Sequence, residues 1–457
     1  MSGQNGTGGQ NGTGGGNGTG GGADGAAGVG AGTGPQSGNG RRNGRSGLGG
    51  RGSRGPDGAA GAGTGFHAGT GARSGTGVGT GTGARTGWPG VGTGTGAGPG
   101  ARGTARVSTA VSPRYAQPAT FMRLRHRPDP IGHDVVVVGA PYDGGTSYRP
   151  GARFAPRAIR HESSLIHGVG IDRGPGVFDR IDVVDGGDID LSPFSMDLAM
   201  DTATVALTRL LERNDAFLML GGDHSLSLAA LRAVHARHGR VAVLHLDAHS
   251  DTNPPVYGGT YHHGTPFRWA IEEGLVDPER LVQVGIRGHN PRPDSLDYAR
   301  GHGVSIVTAA DFTRRSPRGI AEQIRRTVGG LPLYVSVDID VVDPAYAPGT
   351  GTPAPGGLSS REVLTLLDVV GQLRPVGFDV VEVSPAYDPS GITSLLAAEI
   401  GAELLYQYAR ATTSPASAPV DSPLPPGAAA DDAENAENAV DAVDAESAVD
   451  FAGQRWG

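Results

Sequence analysis

The sequence predicts an α/β fold with a mainly parallel sheet covered by helices on both sides, flanked by disordered tails. Three observations predict it. Short, continuously apolar, β-branched runs recur through the middle of the chain. Helical patterns fall between them. Both ends have a composition that cannot build a core.

The ends come first because they distort the averages. The 457 residues include 80 Gly and 33 Pro, and only 37% are hydrophobic and 5% aromatic. Residues 1–112 open MSGQNGTGGQNGTGGG and continue in Gly, Thr, Ala and scattered Arg. With almost no apolar side chain to bury, they read as a flexible coil. Asn5, Asn11 and Asn17 begin Asn-Gly-Thr triplets that fit a glycosylation pattern, but these are read as a repeat of the Gly/Thr/Asn composition. Residues 412–457 run from Pro and Ser into DDAENAENAVDAVDAESAVD, a solvated acidic tail. Much of the net charge of -8 comes from that tail, so it says little about the core's partners.

Residues 113–411 remain, enough for one large domain. The apolar runs 135–138, 216–220, 241–246, 281–286, 304–307, 333–337 and 376–381 read as strands buried on both faces. Helical patterns cover 196–213, 226–238, 317–328, 360–371 and 393–409. Ser359 and Glu362 have the spacing of a capping box at the head of the fourth. The absence of cysteine excludes disulfides, thiolate nucleophiles and sulfur metal sites. No apolar run is long enough to span a membrane and no secretory signal is visible, so a cytoplasmic enzyme is expected, with neither membrane nor nucleic-acid partner.

In such folds ligands bind beyond the carboxyl ends of the strands. Four strand exits hold nearly all the notable polar residues: Gly221-Gly222-Asp223-His224-Ser225, Asp247-Ala248-His249-Ser250-Asp251, Asp338-Ile339-Asp340, and Glu382-Val383-Ser384-Pro385. Alternate side chains of an extended chain share a face. Asp247, His249 and Asp251 therefore point one way if extension persists, as do Asp338 and Asp340. Four buried carboxylates without a counter-charge would be costly. Four carboxylates and two imidazoles suit hard or borderline divalent cations, and six side chains are too many for one tetrahedral zinc. They suit two ions, which together activate water for hydrolysis. Any one motif alone is more often a cap or a turn; their occurrence together at successive exits is what points to metal.

GGDHS, DAHSD and SVDIDVVDPAYAPGTGTP are similar to the three signatures of the ureohydrolase (arginase/agmatinase) family, and the resemblance runs over about 112–410. It implies a three-layer α-β-α arginase-like domain, two Mn2+ ions, and hydrolysis of a guanidino group to an amine and urea. It implies that His224 and Asp251 serve the first ion, that Asp247 and Asp338 are shared, and that His249 and Asp340 complete the second. Asp251 would also hold the nucleophilic water. His263, in Tyr261-His262-His263-Gly264, resembles the family's proton shuttle, with His262 a weaker candidate. Glu382 matches the guanidinium-binding glutamate, and Asn253 sits where relatives meet the substrate's far end. Family members assemble as hexamers or trimers, so a homo-oligomer is expected.

Within the family, GAPYDGGTSYRPGARF, SSLIHGVGIDRGPG and GIRGHNPRPDSLDYARGHGV resemble a branch acting on a carboxylate-bearing guanidino β-lactam. Agmatinase or guanidinobutyrase chemistry at the same site is the alternative, and a non-catalytic binding module is the alternative of another class. His245 is read as a packed histidine on the strand face opposite the metal motif. His133, His161, His167 and His302 lack ligand spacing, and Arg149 and Arg153 are read as loop or interface residues.

Overall fold

The computed structural model describes residues 106–413, apart from 109, 111, 172–173 and 289–293. Most of the two expected tails lies outside the described residues. The expected boundary at 113 falls inside structured chain: Arg106 donates to Met122 O at 2.8 Å, and its guanidinium lies 4.7 Å from the centre of the Phe178 ring.

Eight strands form one sheet: β1 (Val135–Gly139), β2 (Val183–Asp188), β3 (Ala216–Leu220), β4 (Val241–Leu246), β5 (Val276–Ile286), β6 (Ser305–Thr308), β7 (Pro332–Asp338) and β8 (Arg374–Val381). Their order is β2-β1-β3-β8-β7-β4-β5-β6, and every neighbouring pair is parallel. Seven of the eight follow the apolar runs read from the sequence. β2 was missed because only Val183 and Val184 precede Asp-Gly-Gly-Asp, too short an apolar signal. Its Asp185 is buried and paired with Arg160 at 2.9 Å, an ion pair that ties β2 to the helix Ala155–Glu162.

Alternation along each strand divides the core in two. Leu218, Leu220, Leu244, Leu246, Val335 and Val337 face a layer built from Ile159, Ile320, Ile324, Val363 and Leu396. Phe217, Met219, Val241, Val243 and Tyr334 face the other, built from Ala199, Leu207, Leu228, Leu231 and Phe267. Helices therefore cover both faces, giving the expected three layers. The helix Met196–Arg213 starts at Ser195, whose hydroxyl accepts from Leu198 N, and the capping box at Ser359 forms as expected. The pattern over 360–371 is not one helix: α-helix ends at Leu366 and a 3-10 stretch, Leu367–Gln372, follows over Val369-Val370-Gly371, residues with weaker α preference.

The strand order has one consequence for function. β3, β8, β7 and β4, the four strands whose exits carry the polar motifs, are the four contiguous strands at the centre of the sheet. Gly285 lets β5 close on this centre. It sits at φ +101°, and a Cβ there would lie 2.5 Å from Val341 Cγ2 and 2.9 Å from the carbonyl oxygen of Asp247. Gly285→Ala is expected to lower stability by more than about 1 kcal/mol in urea unfolding, because both the conformation and the space exclude a side chain. An unchanged midpoint would contradict this packing.

Candidate metal centre

The four exits converge. Gly221 N donates to Val380 O at 2.8 Å and Glu382 N to Gly222 O at 2.9 Å, so the ends of β3 and β8 are laced together. Gly222 has no room for a side chain: a Cβ would stand 1.7 Å from Tyr142 O. The chain then turns into the 3-10 segment His224–Leu226, held by Asp223, which accepts from Ser225 N at 3.0 Å and Gly145 N at 2.7 Å.

His224 Nδ1 ends 2.9 Å from Asp251 Oδ2, 3.2 Å from Asp247 Oδ2 and 3.3 Å from Asp338 Oδ2. On the other side, His249 Nδ1 lies 3.0 Å from Asp340 Oδ2 and 3.5 Å from Asp247 Oδ1. Asp247 thus offers one oxygen to each of two groups. The structure brings Asp251, Asp247 and Asp338 to His224 and brings Asp340 and Asp247 to His249, but extension is not what does so: β4 ends at Leu246 and Asp251 adopts φ +52°. Glu382 is also in the left-handed region, at φ +64°. Non-glycine residues held there store strain that the surroundings must impose.

The donor set fits divalent cations. His224 Nδ1 and Asp340 Oδ2 are buried and have no hydrogen-bond partner, and both are directed into the cluster. The ring orientation of His224 is fixed from behind. Its Nε2 is 2.9 Å from Ser336 Oγ, which itself donates to Asp379 Oδ1 at 2.7 Å. Since the serine proton goes to Asp379, Nε2 carries the imidazole proton and Nδ1 keeps its lone pair for a ligand. Burial, reinforced by the charges of Asp340 and Asp247, holds the Asp338 carboxyl well above its usual range, and burial and Asp247 raise Asp340 too. The Asp340 charge pushes His249 up to about 12. A compact group of anions with nothing but imidazoles between them is what bound cations relieve.

His245 corrects the sequence reading. It is buried, but on the same face as the motif, with Nε2 2.8 Å from Asp247 Oδ2. Residues 245 and 247 are two apart, so alternation itself places them together. Ser336, Asp379 and Gln283 were not singled out at all. The available signal was a polar residue inside an otherwise apolar strand run.

Next to the carboxylates, His263 Nδ1 is 3.2 Å from Glu382 Oε1. Burial opposes a charge on this ring, yet the hydrogen bond and charge of Glu382 prevail and push it up to about 9. Ser147 meets the other nitrogen in either protonation state. Its hydroxyl, 2.7 Å away, accepts from the imidazolium, and its backbone N–H, 3.2 Å away, donates to the neutral ring. Glu382 Oε1 also accepts from His224 N at 2.8 Å, while its Oε2 is buried without a partner.

A cleft of about 660 Å³ opens over His249, Asp251, Asp338 and His263. Asn253 lines it, as does His262, which braces its own loop through Gly264 N at 3.1 Å. Apart from Asp251 and Asp338, none of the described residues lining it is acidic. Arg153 is bound to buried Asp143, and Arg149 lies 5.2 Å from the centre of the Tyr387 ring, so both brace the loop after β1. His133, His161, His167 and His302 are engaged elsewhere, with Asp182, Glu162, Arg114 and Tyr298.

Comparison with known proteins agrees with this architecture. The Arginase family model matches residues 133–406. The chain is 71% identical over 306 residues to proclavaminate amidinohydrolase of Streptomyces clavuligerus, covering 67% of this chain and 98% of that one. It is 41% identical over 298 residues to guanidinobutyrase of Pseudomonas aeruginosa, covering 65% and 92%. A solved structure of the Streptomyces clavuligerus amidinohydrolase superposes with a TM-score of 0.65 at 72% identity, over 66% of this chain and all of that one. With the family model matching 133–406 and a relative 71% identical over 98% of its length, the chain is a hydrolase of the arginase family.

Proposed function

We propose that the chain binds two Mn2+ ions and hydrolyses the guanidino group of amidinoproclavaminate, releasing urea and the amine, as a step in clavulanic acid biosynthesis. The observation that carries the reaction type is Asp247, whose two oxygens face two separate His–carboxylate groups. His224, Asp251, Asp247 and Asp338 would hold one ion, and His249 and Asp340, with the shared carboxylates, the other. Such a pair would supply an activated water and offset charge developing at the guanidinium carbon. Asp251 would accept a hydrogen bond from that water. Glu382 Oε2, buried and unpartnered, is the acceptor for the guanidinium N–H groups. His263 carries a proton to the leaving amine and is recharged through Ser147.

The substrate rests on two supports. One is the identity to proclavaminate amidinohydrolase. The other is the cleft, where Asn253, Ser147 and His262 supply neutral polar groups and, among the described residues, no carboxylate beyond Asp251 and Asp338 awaits a second cation. A diamine-derived substrate such as agmatine would want that carboxylate, whereas a substrate ending in a carboxylate would not. The catalytic domain proposed is 113–411, extended by the structured segment from Arg106. A cytoplasmic hexamer or trimer is proposed from the family likeness. No helix among the described residues is long and apolar enough to cross a membrane.

Urea release by the manganese-loaded protein should favour amidinoproclavaminate over agmatine, 4-guanidinobutyrate and arginine by at least about 100-fold in kcat/KM, near 2.7 kcal/mol of discrimination. A preference for agmatine or guanidinobutyrate would keep the mechanism and overturn the substrate. No urea from any of them, with both ions bound, would favour the binding module. The His263–Glu382 pair has its own signature in the metal-free protein. Because the folded pKa is raised, its contribution is complete below the unfolded value near 6.5 and is lost as pH rises through about 9. The stability gap between the wild type and His263→Gln should therefore shrink between pH 6.5 and pH 9.5; a gap that stays constant would show that the ring is not charged.

A further inference from the structure

One layer below the metal-facing residues, the sheet carries a row of buried polar side chains. The register pairs Gln283 of β5 with His245 of β4, His245 with Ser336 of β7, and Ser336 with Asp379 of β8. All four are fully buried. Ser336 and Asp379 stand behind His224. Gln283 and His245 stand behind Asp247, and here the hydrogen-bond directions can be read without ambiguity.

The Ser250 carbonyl can only accept, so the Gln283 group 2.5 Å from it is the amide NH2. The Gln283 oxygen accepts from Ser250 Oγ at 2.8 Å, which pins the same orientation. The NH2 also reaches His245 Nδ1 at 3.2 Å, so Nδ1 is an acceptor. The ring proton then sits on Nε2, 2.8 Å from Asp247 Oδ2. His245 cannot serve as a metal ligand through Nε2, although its nitrogen lies among the ligand atoms. It is an N–H donor that fixes the plane of Asp247, leaving Oδ1 toward His249 and Asp340. The reversed tautomer would set a lone pair against a carboxylate oxygen in a site without solvent, which is costly.

We propose that Gln283 and His245 are a positioning pair for the metal centre: Gln283 selects the His245 tautomer, and His245 orients the bridging carboxylate of Asp247. The inference rests on the two-ion reading above. Outer partners of this kind typically change metal affinity by about 10- to 100-fold.

The test is a double-mutant cycle read as Mn2+ affinity of the metal-stripped full chain, by calorimetry, with no reliance on turnover. Gln283→Glu replaces the donor by an acceptor and should weaken Mn2+ binding about 10- to 100-fold. His245→Phe removes the ring nitrogens while keeping a ring beside Phe267, whose centre is 4.0 Å away, and should weaken binding comparably. In the His245→Phe background, Gln283→Glu should add less than about twofold, since its effect runs through the histidine. An equal loss in both backgrounds would show that Gln283 merely braces Ser250, and no loss in the single variant would also overturn the proposal. If Gln283→Glu does not fold, Gln283→Leu is read in the same way. A wild type that binds two ions while the cycle is additive refutes this pair alone; a wild type that binds none refutes the metal reading with it.

Discussion

Buried negative charge governs this structure. Asp247, Asp251, Asp338 and Asp340 are all nearly inaccessible to solvent and crowd within a few ångströms of two imidazoles. No apolar core tolerates that arrangement by itself, because the cost of desolvating carboxylates grows with each one added. The fold answers with rigid geometry: four parallel strands end at one place, each delivers its acidic or imidazole group there, and backbone N–H groups brace the carboxylates. His249 N and Asp340 N donate to Asp247 Oδ1 and Asp338 Oδ1 at 2.6 and 2.8 Å, and Ala248 N to Asp340 Oδ1 at 3.0 Å. What remains unsatisfied, His224 Nδ1 and Asp340 Oδ2, marks where cations belong.

Much of the site was legible in the sequence because its residues sit at the ends of apolar runs, and apolar runs are readable. Seven of eight strands and the polar exits follow from that. Adjacency was not legible: nothing in the order of the motifs says that β3, β8, β7 and β4 lie side by side, since that depends on crossovers between distant segments. Nor were the left-handed turns at Asp251 and Glu382, where a non-glycine residue is held by its surroundings rather than by its own preference. His245 shows the opposite failure. The alternation rule places it with Asp247, two residues on, so reading it on the opposite face was a misapplication of that rule.

The division of labour across the sheet follows from the same constraint. Above the strand ends, residues face the cleft: His263 between Glu382 and Ser147, and Asn253 on the wall. Below them, Ser336 and Asp379 settle the His224 tautomer, and Tyr334 OH and Ser227 Oγ complete Asp379 at 2.5 and 2.7 Å. The lower layer is inaccessible to solvent and hydrogen-bonded at each of these side chains, so it can hold ligand directions within narrow limits. The cleft wall is built from loops, where a change of substrate costs little in stability. Relatives named for other guanidino substrates, at about 40% identity to this chain, fit such a division.

The most direct test of the account is the anomalous scattering of the manganese-loaded protein in a crystal. The account predicts two peaks per chain, roughly 3.5–4 Å apart, one near each oxygen of Asp247, with His224 on one and His249 on the other. A single peak, or two peaks that do not share Asp247, would contradict it.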